Sequence, residues 1–254
     1  MKAAACLLPF AAWIGLGLVA PVGASAQAAV ASAPTFGLAH ASPAAGLPRK
    51  GSVRYALAHG ADGYVIGRVA HTWEHDGRSY RLQSVTETTG LAALLKPARV
   101  VQTSQGDVTA AGLRPREFRH ERVKGLDTAS FDWVRRIVRY AGQEDKLVIG
   151  TQDMLSMYYQ LVLLGVKTGG LEMPIATGRK LEVHHFEVLG EETLTLPLGT
   201  RRAMHLKTRS SGGDMIEVWI APEERGLPVK IRFTDRKGEV FDQLAQDTAV
   251  EDRP

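Results

Sequence analysis

From Gly51 onward the chain alternates. Val53, Tyr55 and Leu57 are separated by Arg54 and Ala56, and after a Gly60-Ala61-Asp62-Gly63 turn signal the pattern resumes with Tyr64, Ile66, Val69, His71 and Trp73. Period-two apolarity bounded by Gly and Asp puts one set of side chains on one face of a strand and then turns the chain back beside itself. Asp76-Gly77, between His71-Thr72-Trp73 and Tyr80-Arg81-Leu82, predicts a two-residue hairpin, because both residue types tolerate the positive φ of a tight turn. Similar signals predict strand ends at Ser104-Gln105-Gly106 after Arg99-Val100-Val101, at Gly190 after Glu182 to Leu189, and at Ser210-Ser211-Gly212-Gly213 after Met204 to Thr208. Consecutive strands joined by short turns predict a mainly β fold, an antiparallel meander curled into a barrel or half-barrel.

One segment breaks the period. Thr151 and Asp153 suit a helix start, and Met154, Leu155, Met157, Tyr158, Leu161, Val162 and Leu164 follow up to a stop at Gly165. Only Ser156 and Gln160 are polar on its faces, so the helix is apolar nearly all round and must be buried, against the concave side of the sheet. A second helix is predicted over Phe131 to Tyr140, with Trp133, Val134, Ile137 and Val138 opposite Arg135, Arg136 and Arg139; a short strand there remains open.

The first 28 residues read as a secretory signal: Met1-Lys2, an apolar run from Ala3 to Ala20, then Ala24-Ser25-Ala26-Gln27-Ala28, with cleavage after Ala26 or Ala28. A membrane anchor is the alternative, weakened by Pro9 and Pro21. The single cysteine, Cys6, lies in this segment, so the mature chain carries no thiol and depends on its core alone in an oxidising compartment. Residues 29–50, rich in Ala, Pro, Ser and Gly, are expected to be a flexible linker; 51–248 a single β-rich domain; 249–254 a polar tail. The formal charge of +4 includes Lys2, the one charged side chain in residues 1–28, and becomes +3 without it. Such a modest excess in an exported chain argues against nucleic acid as a partner.

Catalytic patterns are sparse. The mature chain has no G-x-S-x-G elbow, no S-x-x-K pair and no cysteine nucleophile. Ser156 on a buried helix is expected to satisfy a local hydrogen bond. His184-His185 would point to opposite faces of a strand, and His71 and His75, four residues apart on one, would stand ~13 Å apart, too far for one ion. Glu191-Glu192 reads as solvated charge in a turn. No metal and no cofactor is implied. Basic residues cluster at Arg114, Arg116, Arg119, Arg122 and Lys124, interspersed with Glu117 and Glu121, and again at Arg135, Arg136 and Arg139. A solvated face is the plain reading; contact of Arg135, Arg136 and Arg139 with an anionic membrane surface is the alternative.

Three stretches carry a resemblance. They are Gly106-Asp107-Val108 with Ala111 to Phe118, Gly150 to Tyr159, and Glu217-Val218-Trp219-Ile220-Ala221-Pro222 through Gly226 to Ile231. With Tyr55, Gly63 to Gly67 and Gly90-Leu91, they resemble the Gram-negative envelope family called domain of unknown function 3108, over nearly all of residues 51–246. That likeness implies fold and compartment, and no activity. The Trp219 to Ile231 stretch, with the hairpin at Asp235-Arg236-Lys237-Gly238, is also similar to periplasmic lipoprotein carriers, whose curved sheet and helical lid enclose acyl chains.

These readings lead to a periplasmic, non-enzymatic protein that binds a hydrophobic or amphipathic envelope molecule such as a lipid. An envelope interaction module ranks second and a hydrolase of envelope glycan or lipid third. Trp73, Met154, Met157, Tyr158, Leu161 and Trp219 are the expected apolar ligand contacts, with ordinary core packing as the alternative for each. Whether the curl encloses a pocket or a packed core is left open at this level.

Overall fold

In the computed structural model, which describes residues 46–60, 63–165 and 168–251, the alternating segments pair in chain order. The first half runs β1 (Lys50–His59), β2 (Tyr64–His75), β3 (Ser79–Thr88), a six-residue helix α1 (Gly90–Leu95), β4 (Arg99–Thr109), β5 (Gly112–Arg122), β6 (Gly125–Asp132), β7 (Ile137–Tyr140) and β8 (Gln143–Lys146). A two-residue β9 (Gln152–Asp153) and helix α2 (Ser156–Leu164) lead into the second half. This comprises β10 (Gly170–Ala176), β11 (Leu181–Leu196), β12 (Gly199–Arg209), β13 (Met215–Ala221), a 3₁₀ turn at Pro222–Glu224, β14 (Leu227–Thr234) and β15 (Val240–Glu251).

The described strands form one open sheet of fifteen, antiparallel except for β9 beside β10. The last strand returns to pair with the first, from Lys50 opposite Glu251 to His59 opposite Phe241, so the free edges are β8 and β9. The sheet curls because its alternation buries one face: Val53, Tyr55, Val69, Leu82, Phe118 and Ala129 are all buried, and neighbours such as Arg54 and Arg68 face water. Curling brings distant strands into contact, and Tyr55 Oη donates to the Pro228 carbonyl at 2.8 Å. Every described strand and pairing lies within residues 50–251, so a chain starting at residue 29 holds the whole of the described sheet. No helix among the described residues is long and apolar enough to cross a membrane.

Several local expectations change. The long helix starts at Ser156, five residues later than Thr151. Thr151 turns its hydroxyl to the Val148 carbonyl, and Asp153 opens the helix: its Oδ1 accepts from Leu155 and Ser156 N–H, and Ser156 Oγ accepts from Asp153 N–H. The reciprocal pair satisfies donors that a helix start leaves free. The predicted helix over Phe131 to Tyr140 is a hairpin. Arg136 has φ 57°, Asp132 Oδ1 accepts from Arg135 N–H, and the apparent apolar stripe divides between buried Val138 and exposed Val134. Ser104-Gln105-Gly106 and Gly190 lie inside β4 and β11, where each glycine marks a bulge, so Glu191 and Glu192 are strand residues. At the β2–β3 hairpin the turn pair is Gly77-Arg78, and Asp76 braces it by accepting from Arg78 and Ser79 N–H.

The predicted signal segment, and the linker up to residue 45, lie outside the described residues. The end of the expected linker belongs to the domain: Leu47 is buried, and the Leu47 and Pro48 carbonyls meet His75 Nε2 and Trp73 Nε1. β15 runs to Glu251, three residues into the expected tail; 252–254 are outside the described residues. Helix α1, with no buried residue, has no counterpart in the sequence reading.

Candidate functional site

The register gives the curled sheet two ends. The β1–β2, β5–β6, β10–β11, β12–β13 and β14–β15 turns lie at one, the upper end; the β2–β3, β4–β5, β6–β7, β11–β12 and β13–β14 turns lie at the other. α2 fills the lower half of the interior. Its Gln160 side chain bridges to the β4–β5 turn, accepting from Leu113 N–H and donating to the Ala111 carbonyl, both at 2.8 Å. Gln152 Nε2 donates to the Leu113 carbonyl, and Asp153 Oδ2 accepts from Ser104 Oγ at 2.6 Å, with Tyr80 Oη at 3.0 Å from the same Ser104 oxygen. Burial outweighs these bonds and pushes the Asp153 carboxyl up to about 6. Ser156 spends its hydroxyl on the helix start, as expected.

Of the six residues predicted to contact a ligand, five gather here. Trp73 packs at 5.6 Å from Tyr159, and His71 at 6.3 Å from both Tyr158 and Tyr159. Met157 and Leu161 are completely enclosed by protein, with no space for a water beside them, while Met154 and Tyr158 keep a trace of exposure. Trp219 lies elsewhere. Residues opposite one another in a ladder share a face: Tyr55 faces Ala245, Gln243 faces Ile231 and Ile231 faces Val218, so Val218 is on the α2 side and Trp219 points away. On that outer face its indole stacks on His205 at 4.1 Å, lies under Lys230 Nζ at 4.4 Å and donates to Glu192. His205 Nε2 meets Glu217 at 2.9 Å. The β11–β12 hairpin reaches back to the neighbouring strands here, with Leu198 N–H bonded to the Ala245 carbonyl and Arg201 to Glu224, and Ala203 on it is buried.

The upper interior differs. Ser84, Gln102, His120, His184, Thr208 and Gln243 are inner-face residues here. Gln102, between buried Ser84 and buried His120, is half-buried, as is Gln243 between buried Leu57 and Ile231, so both inner-face amides reach water. Among the described residues, His184 Nδ1 and Nε2, Thr208 Oγ1, Gln243 Oε1, Ser210 Oγ and, directly opposite Ser84, His71 Nδ1 have no protein hydrogen-bond partner. Buried polar atoms are ordinarily paired, and a cluster of exceptions marks a place for water or ligand. Desolvation holds His71 and His120 neutral, each lowered to about 4, and lowers His184 as well. None of these polar interior residues was singled out for this role from sequence.

A family model described as a protein of unknown function, DUF3108, matches residues 52–244. The chain belongs to the DUF3108 family. No curated protein matches it. Among solved structures it is similar to a β-barrel-like protein of domain of unknown function DUF1849 from Brucella abortus, with 12% identity, 80% of this chain and 98% of that chain covered and a TM-score of 0.52. A candidate lipoprotein from Parabacteroides distasonis matches with 10% identity, 80% and 97% coverage and a TM-score of 0.36. The first likeness is one of fold: a β-barrel-like curl built on this meander.

The charged residues of this DUF3108 domain are largely paired. Arg114 and Arg116 meet Asp107, Arg119 meets Glu117 and Glu121, and Arg122 meets Asp127. Asp127 also takes Arg179 Nε at 2.8 Å, joining the β5–β6 and β10–β11 turns across the upper rim. Arg139 is held by Glu144, while Arg135 and Arg136 sit exposed at the β6–β7 tip beside Val134. His184 and His185 take opposite faces, one buried and one exposed, and among the described residues no three His, Cys, Asp or Glu side chains are placed to hold a metal.

Proposed function

We propose that this DUF3108 protein is exported to the periplasm and binds, without catalysis, an amphipathic envelope molecule in the upper interior of its curled sheet. The observation that carries the reading is the set of unpartnered inner-face atoms on His184, Thr208 and Gln243, next to an interior that water reaches at Gln102. A ligand with hydroxyl, amide or phosphate oxygens would complete those atoms and displace the water. On this reading Met154 and Tyr158, which keep a trace of exposure, would meet an apolar portion of the ligand, while Met157 and Leu161 are enclosed behind them and Trp73 is packed against Tyr159. Trp219 takes no part, being on the other face.

Native mass spectrometry of residues 29–254, taken gently from the periplasm and followed by organic extraction, tests this. A stoichiometric lipid-like adduct is expected, displaced in a His184→Ala/Gln243→Ala variant. A clean apo mass that stays apo when envelope lipids are added back overturns it. A second reading has its own observation: Val134 is 95% exposed between Trp133 and the Arg135-Arg136 pair, which suits a contact with a partner or an anionic surface. Crosslinking from position 134 that captures one stoichiometric protein, without bound lipid, would favour it.

A further inference from the structure

The upper end carries an apolar rim. Helix α1 projects Leu91, Leu94 and Leu95 at 77%, 80% and 76% exposure, and Tyr64, Val65 and Val123 are similarly open. These residues form one strip. Thr89 N–H bonds to the Ile66 carbonyl, placing α1 beside the start of β2, and Val100 opposite Arg122 sets the α1–β4 connection beside the β5–β6 turn that holds Val123. A run of large apolar side chains facing water along one end is a contact surface rather than scattered exposure. Its charge names the partner. From Glu87 to Arg99 and from Arg122 to Asp127 there are four cations, Lys96, Arg99, Arg122 and Lys124, against the two carboxylates Glu87 and Asp127. Glu87 is spent on Arg68 and Arg99, and Asp127 on Arg122 and Arg179.

We propose that this rim docks on an anionic phospholipid surface, with the α1 leucines entering the headgroup boundary and the flanking cations at phosphate level. The short helix then needs no core contact, since the membrane is the apolar phase its leucines face. Docking there turns the open upper interior toward the bilayer, which rests on the ligand-binding reading and names its substrate class as a molecule drawn from that bilayer. The rim itself is tested without reference to the interior.

Residues 29–254 are sedimented with vesicles of phosphatidylglycerol and phosphatidylethanolamine, and with phosphatidylcholine alone. The wild-type chain is expected to pellet with the anionic vesicles, less so in high salt. Leu91→Ser/Leu94→Ser/Leu95→Ser is expected to weaken binding about ten-fold or more, with an unchanged circular dichroism spectrum and urea midpoint because α1 buries nothing. Val134→Ser, at the opposite end, is expected to bind as wild type. Equal binding by the triple variant, loss of binding in Val134→Ser, or no wild-type binding overturns the proposal. Vesicle binding by a protein whose native mass stays apo would keep the rim and remove the interior reading.

Discussion

Asp153 receives three hydrogen bonds on one carboxylate and still titrates near 6 because it lies wholly inside the protein. Its folded value is raised above the ordinary 3.8, so the native state holds the proton more tightly. The associated stability is full below pH 3.8 and is lost as pH rises through about 6, a difference of about 3 kcal/mol. Asp153→Asn is therefore expected to gain stability relative to wild type on going from pH 4 to pH 8, measured by urea midpoints; a constant difference would show that the carboxyl is ionised throughout. His71 has the opposite sign. Its value is lowered to about 4 by burial, so its contribution is present above pH 6.5 and disappears as pH falls toward 4. His71→Phe, which removes an unpartnered nitrogen, is expected to spare about 2 kcal/mol of the stability that wild type loses between pH 7 and pH 5. Sequence alternation placed His71 beside Trp73 on one strand face. That it sits among Tyr55, Tyr158 and Tyr159 depended on α2 arriving from far along the chain.

At the scale of elements, α2 is fixed by its glutamine as much as by its apolar surface. Gly112 has φ 103°, and a Cβ there would overlap the Gln160 amide. Gly112→Ala is expected to lower stability by about 2–4 kcal/mol, combining backbone strain with the broken bonds to Leu113 and Ala111. Gly190→Ala, with φ 113° and open space around it, is expected to cost only the strain, about 1–2 kcal/mol. Urea denaturation separates the two, and equal losses would mean that the Gln160 contact contributes nothing. These glycines also show which element boundaries the sequence conceals. A glycine between alternating runs has the same local pattern at a turn and at a bulge, so Gly106 and Gly190 read as strand ends and proved to be interior kinks. The helix read over Phe131 to Tyr140 failed for a related reason. Trp133, Val134, Ile137 and Val138 have helical spacing by coincidence, and the left-handed backbone at Arg136 is invisible until the turn is seen.

In the whole molecule, the sheet edges stay apart and the curl is held across its gap by side chains. Asp127 between Arg122 and Arg179 is one such contact, at the upper rim. Asp127→Asn is expected to cost about 1–3 kcal/mol, because two partly buried guanidinium groups lose their shared carboxylate. Amide exchange is expected to quicken at residues 177–180 while the α2 amides keep their protection. Uniform quickening instead would show that the rim contact supports the entire fold. The sequence by itself determined the mainly β meander and the burial of the one apolar helix, because period-two and all-round apolar patterns report which faces leave water; the family was legible separately, through the resemblance carried by the stretches around Gly106 to Phe118, Gly150 to Tyr159 and Glu217 to Ile231. Only the tertiary structure decided that Trp219 turns away from α2, that the first and last strands pair, and that the interior is filled below and polar above. Alternation separates inside from outside within one strand, whereas the partners of a side chain across an enclosed space come from elements distant in the chain, from Ser104 with Asp153 to Tyr55 with Pro228. Polar interior residues such as His184, Thr208 and Gln243 interrupt the very pattern by which an interior is recognised, so the polar part of the interior was the part the sequence marked least.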